Sequence, residues 1–286
     1  MTALASWHER VVMSQQPLTL RASDMPRSTD FQDKAQLEDR AGLQGKTALQ
    51  DKLAFILRHT RLSPVPHAPE ISLHVAEIAT ELWQKTEDDL GEIGLAPPFW
   101  AFAWAGGQGL ARHVLDHPEL VRGKHVLDFA SGSGLVGIAA MKAGALHVTC
   151  ADIDGYAQVA AQLNASANDV ALTSTRLDLV EAEKPLQKSN SSPQNFDAPD
   201  IKLQDEPARA WDIVLAGDIF YSQPMALALG SWFTKLRLRG VEVLVGDPGR
   251  AYLPATGLEL LASHNVPVTR DLEDADFKTV GVYRVA

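Results

Sequence analysis

The stretch VLDFASGSGLVGIAA, Val126–Ala140, decides the fold. An apolar run reaches Asp128 and Phe129, glycines follow at the spacing G-x-G-x-x-G (Gly132, Gly134, Gly137), and the chain then turns apolar again. Strand, glycine turn and helix in that order build a ligand site. Glycine lets backbone come close to a bound group, and the first turn of a helix holds N–H groups with no partner inside the helix. Asp152 stands about twenty residues beyond the loop, where the dinucleotide-binding fingerprint places an acid. Alone, the glycine pattern is a weak signal.

Outward from this loop the chain alternates between strand-like and helical stretches, which predicts an α/β fold with a parallel sheet. Strands are expected at HVLDFA (His125–Ala130), HVTCAD (His147–Asp152), ALTSTRLD (Ala171–Asp178), DIVLAGD (Asp212–Asp218) and VEVLVGD (Val241–Asp247). Residues 266–270 and 279–285 read as a closing hairpin. The main domain is expected over 97–286, with a polar insertion at 181–209 that is either a tolerated surface loop or a substrate lid. PPFWAFAWAGGQGL (Pro97–Leu110) gathers Phe99, Trp100, Phe102 and Trp104 ahead of an expected Gly-Gly turn, with a helix following to about His117. Residues 46–96 read as N-terminal helices, one over Thr47–Thr60 and one over Ile71–Leu90, linked by VPHAPE (Val65–Glu70). Residues 1–45 are polar, broken by Pro17 and Pro26, and predict a disordered extension.

Composition narrows the function. Hydrophobic residues make up 45% and charged residues 22%, ordinary globular usage. A net charge of −10 argues against nucleic acid as a partner and leaves a cationic one open. The single cysteine, Cys150, excludes an intrachain disulfide and a cysteine-built zinc site. His59, His67 and His74 lack metal-ligand spacing, so no metal is expected. There is no membrane-length apolar run, no secretory segment, and no acid-poor transit segment at the N-terminus, so a cytoplasmic location without membrane contact is expected.

Two cofactors compete for the glycine loop. A dinucleotide brings two phosphates, and a carboxylate at Asp128 would repel them. S-adenosylmethionine brings an ammonium and a sulfonium, which the same carboxylate would favour. On the other side of the expected site the fourth strand ends in GDIFY (Gly217–Tyr221). Ligands of open α/β sheets bind beyond the carboxyl ends of the strands, which places Asp218, Phe220 and Tyr221 near the transferred group as catalytic candidates. Methyl transfer to an amine needs a neutral nitrogen, whereas a free lysine has a pKa of about 10.4. Asp218 could accept a hydrogen bond from that amine, and aromatic faces could box the cationic alkyl chain. Helix capping by Asp218 and core packing by Phe220 are the plainer alternatives.

DFASGSG (Asp128–Gly134) resembles the D-x-G-x-G-x-G loop of the seven-strand, class I methyltransferases, with Ala130 where that family has its first glycine. The resemblance implies a Rossmann-like seven-stranded sheet with helices on both faces. It also implies Asp128 near the methionyl part of the cofactor, Asp152 on the ribose hydroxyls and Asp178 at the adenine amino group. Ala130, Ser131, Gly132 and Gly134 in the loop, Ile153 after Asp152, and Gly217 and Trp104 across from them complete the candidate cofactor set. Pro98–Gly134, ADID (Ala151–Asp154), GDIFY and GDPGR (Gly246–Arg250) together resemble the electron transfer flavoprotein β-subunit lysine methyltransferases. Their D-x-F-Y element falls on Asp218, Phe220 and Tyr221, and their W-P-G-G element on Trp104, Ala105, Gly106 and Gly107, with Ala105 replacing the proline. That resemblance implies S-adenosylmethionine-dependent methylation of lysines on the flavoprotein β subunit. A small-molecule N-methyltransferase, a methyltransferase of another protein such as a ribosomal protein, and an NAD-binding oxidoreductase stand as alternatives.

Overall fold

The computed structural model describes residues 49–77, 98–182 and 211–286. The expected disorder at 1–45, the helix over 78–90 and most of the insertion at 181–209 lie outside the described residues. Within them a helix, α1 (49–59), leads into a two-stranded antiparallel hairpin, β1 (Arg61–Val65) and β2 (Ala68–Val75). The reading of 46–96 as helices joined by a linker is corrected here, because VPHAPE holds the hairpin's turn and 71–75 is strand. Ile71 and Leu73 are fully buried two residues apart, the period of a strand face. The free edge of β2 is held by side chains. The Asn168 amide accepts from Ser72 N at 3.0 Å and donates to Ser72 O at 2.6 Å, and Asn164 Oδ1 accepts from His74 N at 2.7 Å.

A short 3-10 turn (Phe99–Ala101) precedes α2 (Ala105–Asp116). There follow β3 (His125–Phe129), α3 (Leu135–Lys142), β4 (His147–Ala151), α4 (Gly155–Ala167), β5 (Thr173–Thr175) and α5 (Leu179–Ala182). The second half runs β6 (Ile213–Gly217), α6 (Gln223–Leu238), β7 (Glu242–Asp247), β8 (Leu258–Pro267), α7 (Arg270–Glu273) and β9 (Phe277–Val285). The main sheet has seven strands in the order β5-β4-β3-β6-β7-β9-β8, parallel except that β9 is antiparallel to both neighbours. Chain order reverses between β3 and β6, which makes a crevice at their carboxyl ends.

Alternate strand residues feed two cores. Val126, Val148, Ile213 and Leu244 pack under α2 and α3, while Leu127, Val214, Val243 and Val245 pack under α6 through Leu229, Trp232 and Phe233. Both sheet faces are therefore covered, as near-continuous apolar strands require. Two strand positions differ from the sequence reading. β5 stops at Thr175, three residues short of Asp178, and the penultimate strand occupies Leu258–Pro267 rather than 266–270. Thr173–Thr175 has no fully buried apolar side chain to prolong the edge strand, and β8 pairs along its whole length with β9.

The Gly-Gly element is not a turn. Gly106 and Gly107 sit in the first turn of α2, which lies directly on the backbone of β6 and β7. A Cβ on Gly106 would stand 2.3 Å from Gly246 O, and one on Gly217 would stand 2.8 Å from Gly107 Cα. Small residues are needed on both sides of this contact, and the contact places the N-terminus of α2 beside the tip of β6.

Candidate functional site

The loop after β3 turns by left-handed backbone. Ala130 has φ 51°, Gly132 φ 49° and Gly134 φ 78°. Glycine adopts this region freely, whereas alanine there carries a strain of about 1–2 kcal/mol, so the alanine is held by its surroundings. Gly134 is the N-cap of α3 and brings no side chain to the helix's first amides, of which Gly137 N is taken by Asp128 from the strand beneath. Gly137 serves a different purpose, since its Cβ would meet Cys150 Sγ at 2.9 Å and Asp128 Oδ2 at 3.1 Å. It is the close helix–sheet contact of the motif.

Asp128 does not face the crevice. It is 1% exposed, and its Oδ2 accepts from Gly137 N at 2.8 Å with Cys150 Sγ at 3.9 Å. Burial pushes its carboxyl up to about 8, against the pull of the Gly137 amide. With Oδ2 engaged by α3 and the charged form disfavoured by burial, Asp128 is not placed for the direct repulsion of phosphates or direct grip on a cation expected of it. Asp128 ties α3 to β3 and shapes the loop from beneath.

Asp152, at the tip of β4, does face it. Gly132 N donates to Oδ2 at 2.8 Å and Asp154 N to Oδ1 at 3.0 Å. Each oxygen keeps a further lone pair, the capacity needed to accept two vicinal hydroxyls. Burial raises the Asp152 pKa, and the two amide donors oppose the rise. Ile153 beside it is 65% exposed, an apolar surface next to a carboxylate. Asp154 caps α4, accepting from Tyr156 N at 2.8 Å. Asp178 is exposed and accepts from Val180 N at 3.1 Å, the local role of an acid opening the short helix α5. Left-handed glycines at the start of a helix, a carboxylate with spare lone pairs and a flanking apolar side chain fit the adenosyl part of S-adenosylmethionine.

Across the crevice, Asp218 follows β6 in a left-handed conformation, φ 57°, with its N–H on Gly246 O at 2.9 Å. Its Oδ2 accepts from Gly107 N at 2.9 Å, capping α2 from another element where the N-cap Trp104 offers no side-chain acceptor. Its Oδ1 accepts from Arg250 Nε at 3.0 Å and Nη2 at 2.6 Å. Burial pushes the Asp218 carboxyl up to about 6, and Arg250 limits the rise. The carboxylate is thus nearly saturated, with one Oδ2 lone pair unassigned.

The aromatic residues divide. Phe220 is 1% exposed and packs in the core under α6, so it takes no part in an aromatic box. Trp100 is buried against Tyr156, their rings stacked at 5.9 Å, with Ile56 of α1 in the same cluster. Tyr221 is 43% exposed and lies 5.7 Å from Phe99, which lies 5.8 Å from Trp104. These three rings wall the acceptor side. Gly132, whose N–H holds Asp152, lies against the Phe99–Trp100 backbone, where a Cβ on it would stand 3.9 Å from Phe99 O, so the tips of β4 and β6 share one crevice. Gly217 belongs to the α2 contact described above. Sequence reasoning missed Phe99 as a wall residue and Glu273 altogether; Arg250 entered it only as the last residue of GDPGR. GDPGR was the only signal for this group.

The family model described as Ribosomal protein L11 methyltransferase (PrmA) matches residues 113–195. The electron transfer flavoprotein beta subunit lysine methyltransferase of Xenopus laevis is 35% identical over 199 residues, covering 69% of this chain and 70% of that protein. The homologue of that enzyme in Caenorhabditis elegans is 32% identical over 228 residues, 79% of this chain and 87% of that one. The solved structure of magnesium protoporphyrin IX methyltransferase from Synechocystis PCC 6803 is 14% identical with a TM-score of 0.42, over 73% of this chain and 97% of that one, too distant to argue from.

Proposed function

This chain belongs to the electron transfer flavoprotein β-subunit lysine methyltransferase family, and on that premise we propose that it methylates lysine side chains of an electron transfer flavoprotein β subunit, with S-adenosylmethionine as methyl donor. The observation that carries the reading is the shared crevice, with a diol-competent carboxylate at Asp152 facing an aromatic wall that ends in Tyr221. The bound cofactor supplies an electrophilic methyl on a sulfonium sulfur. Asp152 would hold the ribose hydroxyls on its spare lone pairs, and Ile153 would offer an apolar surface to the adenine. The amides of Leu135 and Val136, which open α3 after Gly134, would meet the carboxylate of the methionyl part.

The protein's work on the acceptor is desolvation and aim. A lysine chain passing Phe99, Trp104 and Tyr221 loses water, and the adjacent sulfonium disfavours its charged form, so its pKa falls from about 10.4 toward the working range. The rings hold the alkyl chain. The remaining Oδ2 lone pair of Asp218 would accept an N–H of the neutral amine and so turn the nitrogen lone pair toward the methyl; as the N–C bond forms the S–CH3 bond breaks, its electron pair stays on sulfur in the departing thioether, and the extra proton on nitrogen is lost to solvent. Positioning of this kind supplies several kcal/mol of the barrier reduction, up to about 11 at its best.

The test is the intact mass of a purified flavoprotein before and after incubation with enzyme and S-adenosylmethionine, followed by peptide mapping. Methyl-mass increments on lysine are expected. An unchanged mass, with label instead in low-molecular-weight extract, would overturn the substrate assignment in favour of a small-molecule acceptor.

A further inference from the structure

GDPGR begins on the last two residues of β7, and its role is visible only in three dimensions. Asp247 Oδ1 accepts from Gly249 N and Arg250 N, both at 2.7 Å, which folds the turn. Tyr252 N then bonds Phe220 O at 3.2 Å, pinning the segment across the tip of β6. The turn aims Arg250 inward. Its guanidinium gives two hydrogen bonds to Asp218 Oδ1, and from the other side Nη1 and Nη2 meet Glu273 Oε2 and Oε1 at 2.9 and 2.6 Å. The guanidinium carbon also lies 5.7 Å from the Trp104 ring centroid. Glu273 is 5% exposed at the end of α7, an expensive place for a carboxylate unless its partner is required there.

We propose that Arg250 and Glu273 are positioning residues for methyl transfer. The guanidinium, braced by Glu273 and laid against Trp104, consumes Oδ1 of Asp218 and so fixes Oδ2 as the atom presented to the acceptor. This rests on the reading of Asp218 as the acceptor-side carboxylate. A bidentate planar fork sets orientation as well as charge, which a lysine at the same position would not reproduce.

The charged groups around Asp218 are Arg250 from the turn after β7, Glu273 from α7, Lys278 of β9 at 3.9 Å from Glu273, and Asp247 beneath the same turn. Arg250 lowers the Asp218 pKa and Glu273 raises it. Removing each charge therefore moves Asp218 in opposite directions, which loss of packing alone would not do.

The experiment compares wild type, Arg250→Lys, Arg250→Gln, Glu273→Gln and Asp218→Asn. It measures kcat and KM for both substrates across pH, with direct titration of the Asp218 carboxyl by carbon NMR. Glu273→Gln is expected to lower the Asp218 midpoint and Arg250→Gln to raise it, each by about 1 unit. Arg250→Lys keeps the midpoint nearer wild type, yet lowers kcat at least tenfold with KM for S-adenosylmethionine unchanged. If Arg250→Gln does not fold, Glu273→Gln and Arg250→Lys still decide the matter. An Asp218 midpoint indifferent to Glu273→Gln, or an Arg250→Lys enzyme with wild-type kcat, overturns the inference. Full transfer by Asp218→Asn overturns the underlying reading of Asp218 instead.

Discussion

Gly137 N donates to Asp128 Oδ2 at 2.8 Å, and this bond turns the most conspicuous acid of the loop into a structural tie. The carboxyl's folded pKa of about 8 lies above its unfolded value of about 3.8. Between these values the unfolded chain has lost a proton that the folded one keeps. Stability from this group is complete below about pH 4 and declines as pH rises through about 8. Asp128→Asn, which has no charge to bury, should gain stability relative to wild type over that window. Urea unfolding at stepped pH measures the difference, and a difference flat with pH would refute the assignment.

Ala130 holds φ 51° where glycine would be unstrained. Ala130→Gly removes about 1–2 kcal/mol of backbone strain and gives back about 0.5–1 in unfolded-chain entropy. A net gain of about 0.5–1 kcal/mol is expected from denaturant melts. A loss would mean the methyl makes contacts worth more than its strain.

Adjacent glycines should behave oppositely. Gly106→Ala puts a methyl 2.3 Å from Gly246 O and 2.6 Å from Asp218 Oδ2, whereas at Gly107 the nearest atom is Leu135 Cδ2 at 3.8 Å. The first should cost about 1–3 kcal/mol or more and displace Asp218. The second should be tolerated, with up to about 1 kcal/mol gained from helix propensity. Equal melting temperatures for the two variants would contradict the packing of α2 on β6 and β7.

Asp152 and Asp178 were read from the sequence as a pair of ligand acids; Asp152 is the one held by two backbone amides, one of them from the glycine loop, whereas Asp178 is exposed and accepts from Val180 N at the start of α5. Calorimetry should show Asp152→Ala weakening S-adenosylmethionine binding at least tenfold, on the order of 1.5–3 kcal/mol for lost charged hydrogen bonds. Asp178→Ala should change it less than threefold. The reverse ranking would relocate the ribose site.

Asn164 links two remote parts, accepting from His74 N of the hairpin and donating to Ser133 O of the glycine loop at 2.9 Å. Asn164→Ala should speed amide exchange at His74 and also weaken cofactor binding. Faster exchange with unchanged affinity would show that the loop stands without this support.

The central sheet was legible because each central strand is a short apolar run buried on both faces with a small or acidic residue at or beside its end, a pattern local in sequence. β3, β4, β6 and β7 follow it to within about a residue. The hairpin was not legible. Ile71 and Leu73 suit a helix or a strand, and the choice was made by Asn164 and Asn168, nearly a hundred residues away, which satisfy the β2 edge. Likewise Gly106 and Gly107 read locally as a turn, and only the backbone of β6 and β7 reveals a helix end pressed flat against them.

Sequence alone determined the alternating fold, the glycine loop, the strand-tip acids and the family likeness, because these depend on residue type and spacing along one chain segment. The tertiary structure decided which acids are buried or paired and which rings line the crevice. Protonation of Asp128, ion pairing of Asp218 and burial of Phe220 depend on desolvation and on partners such as Arg250 and Glu273. Those partners arrive from distant segments, and the cost of taking a charge out of water is set by everything packed around it.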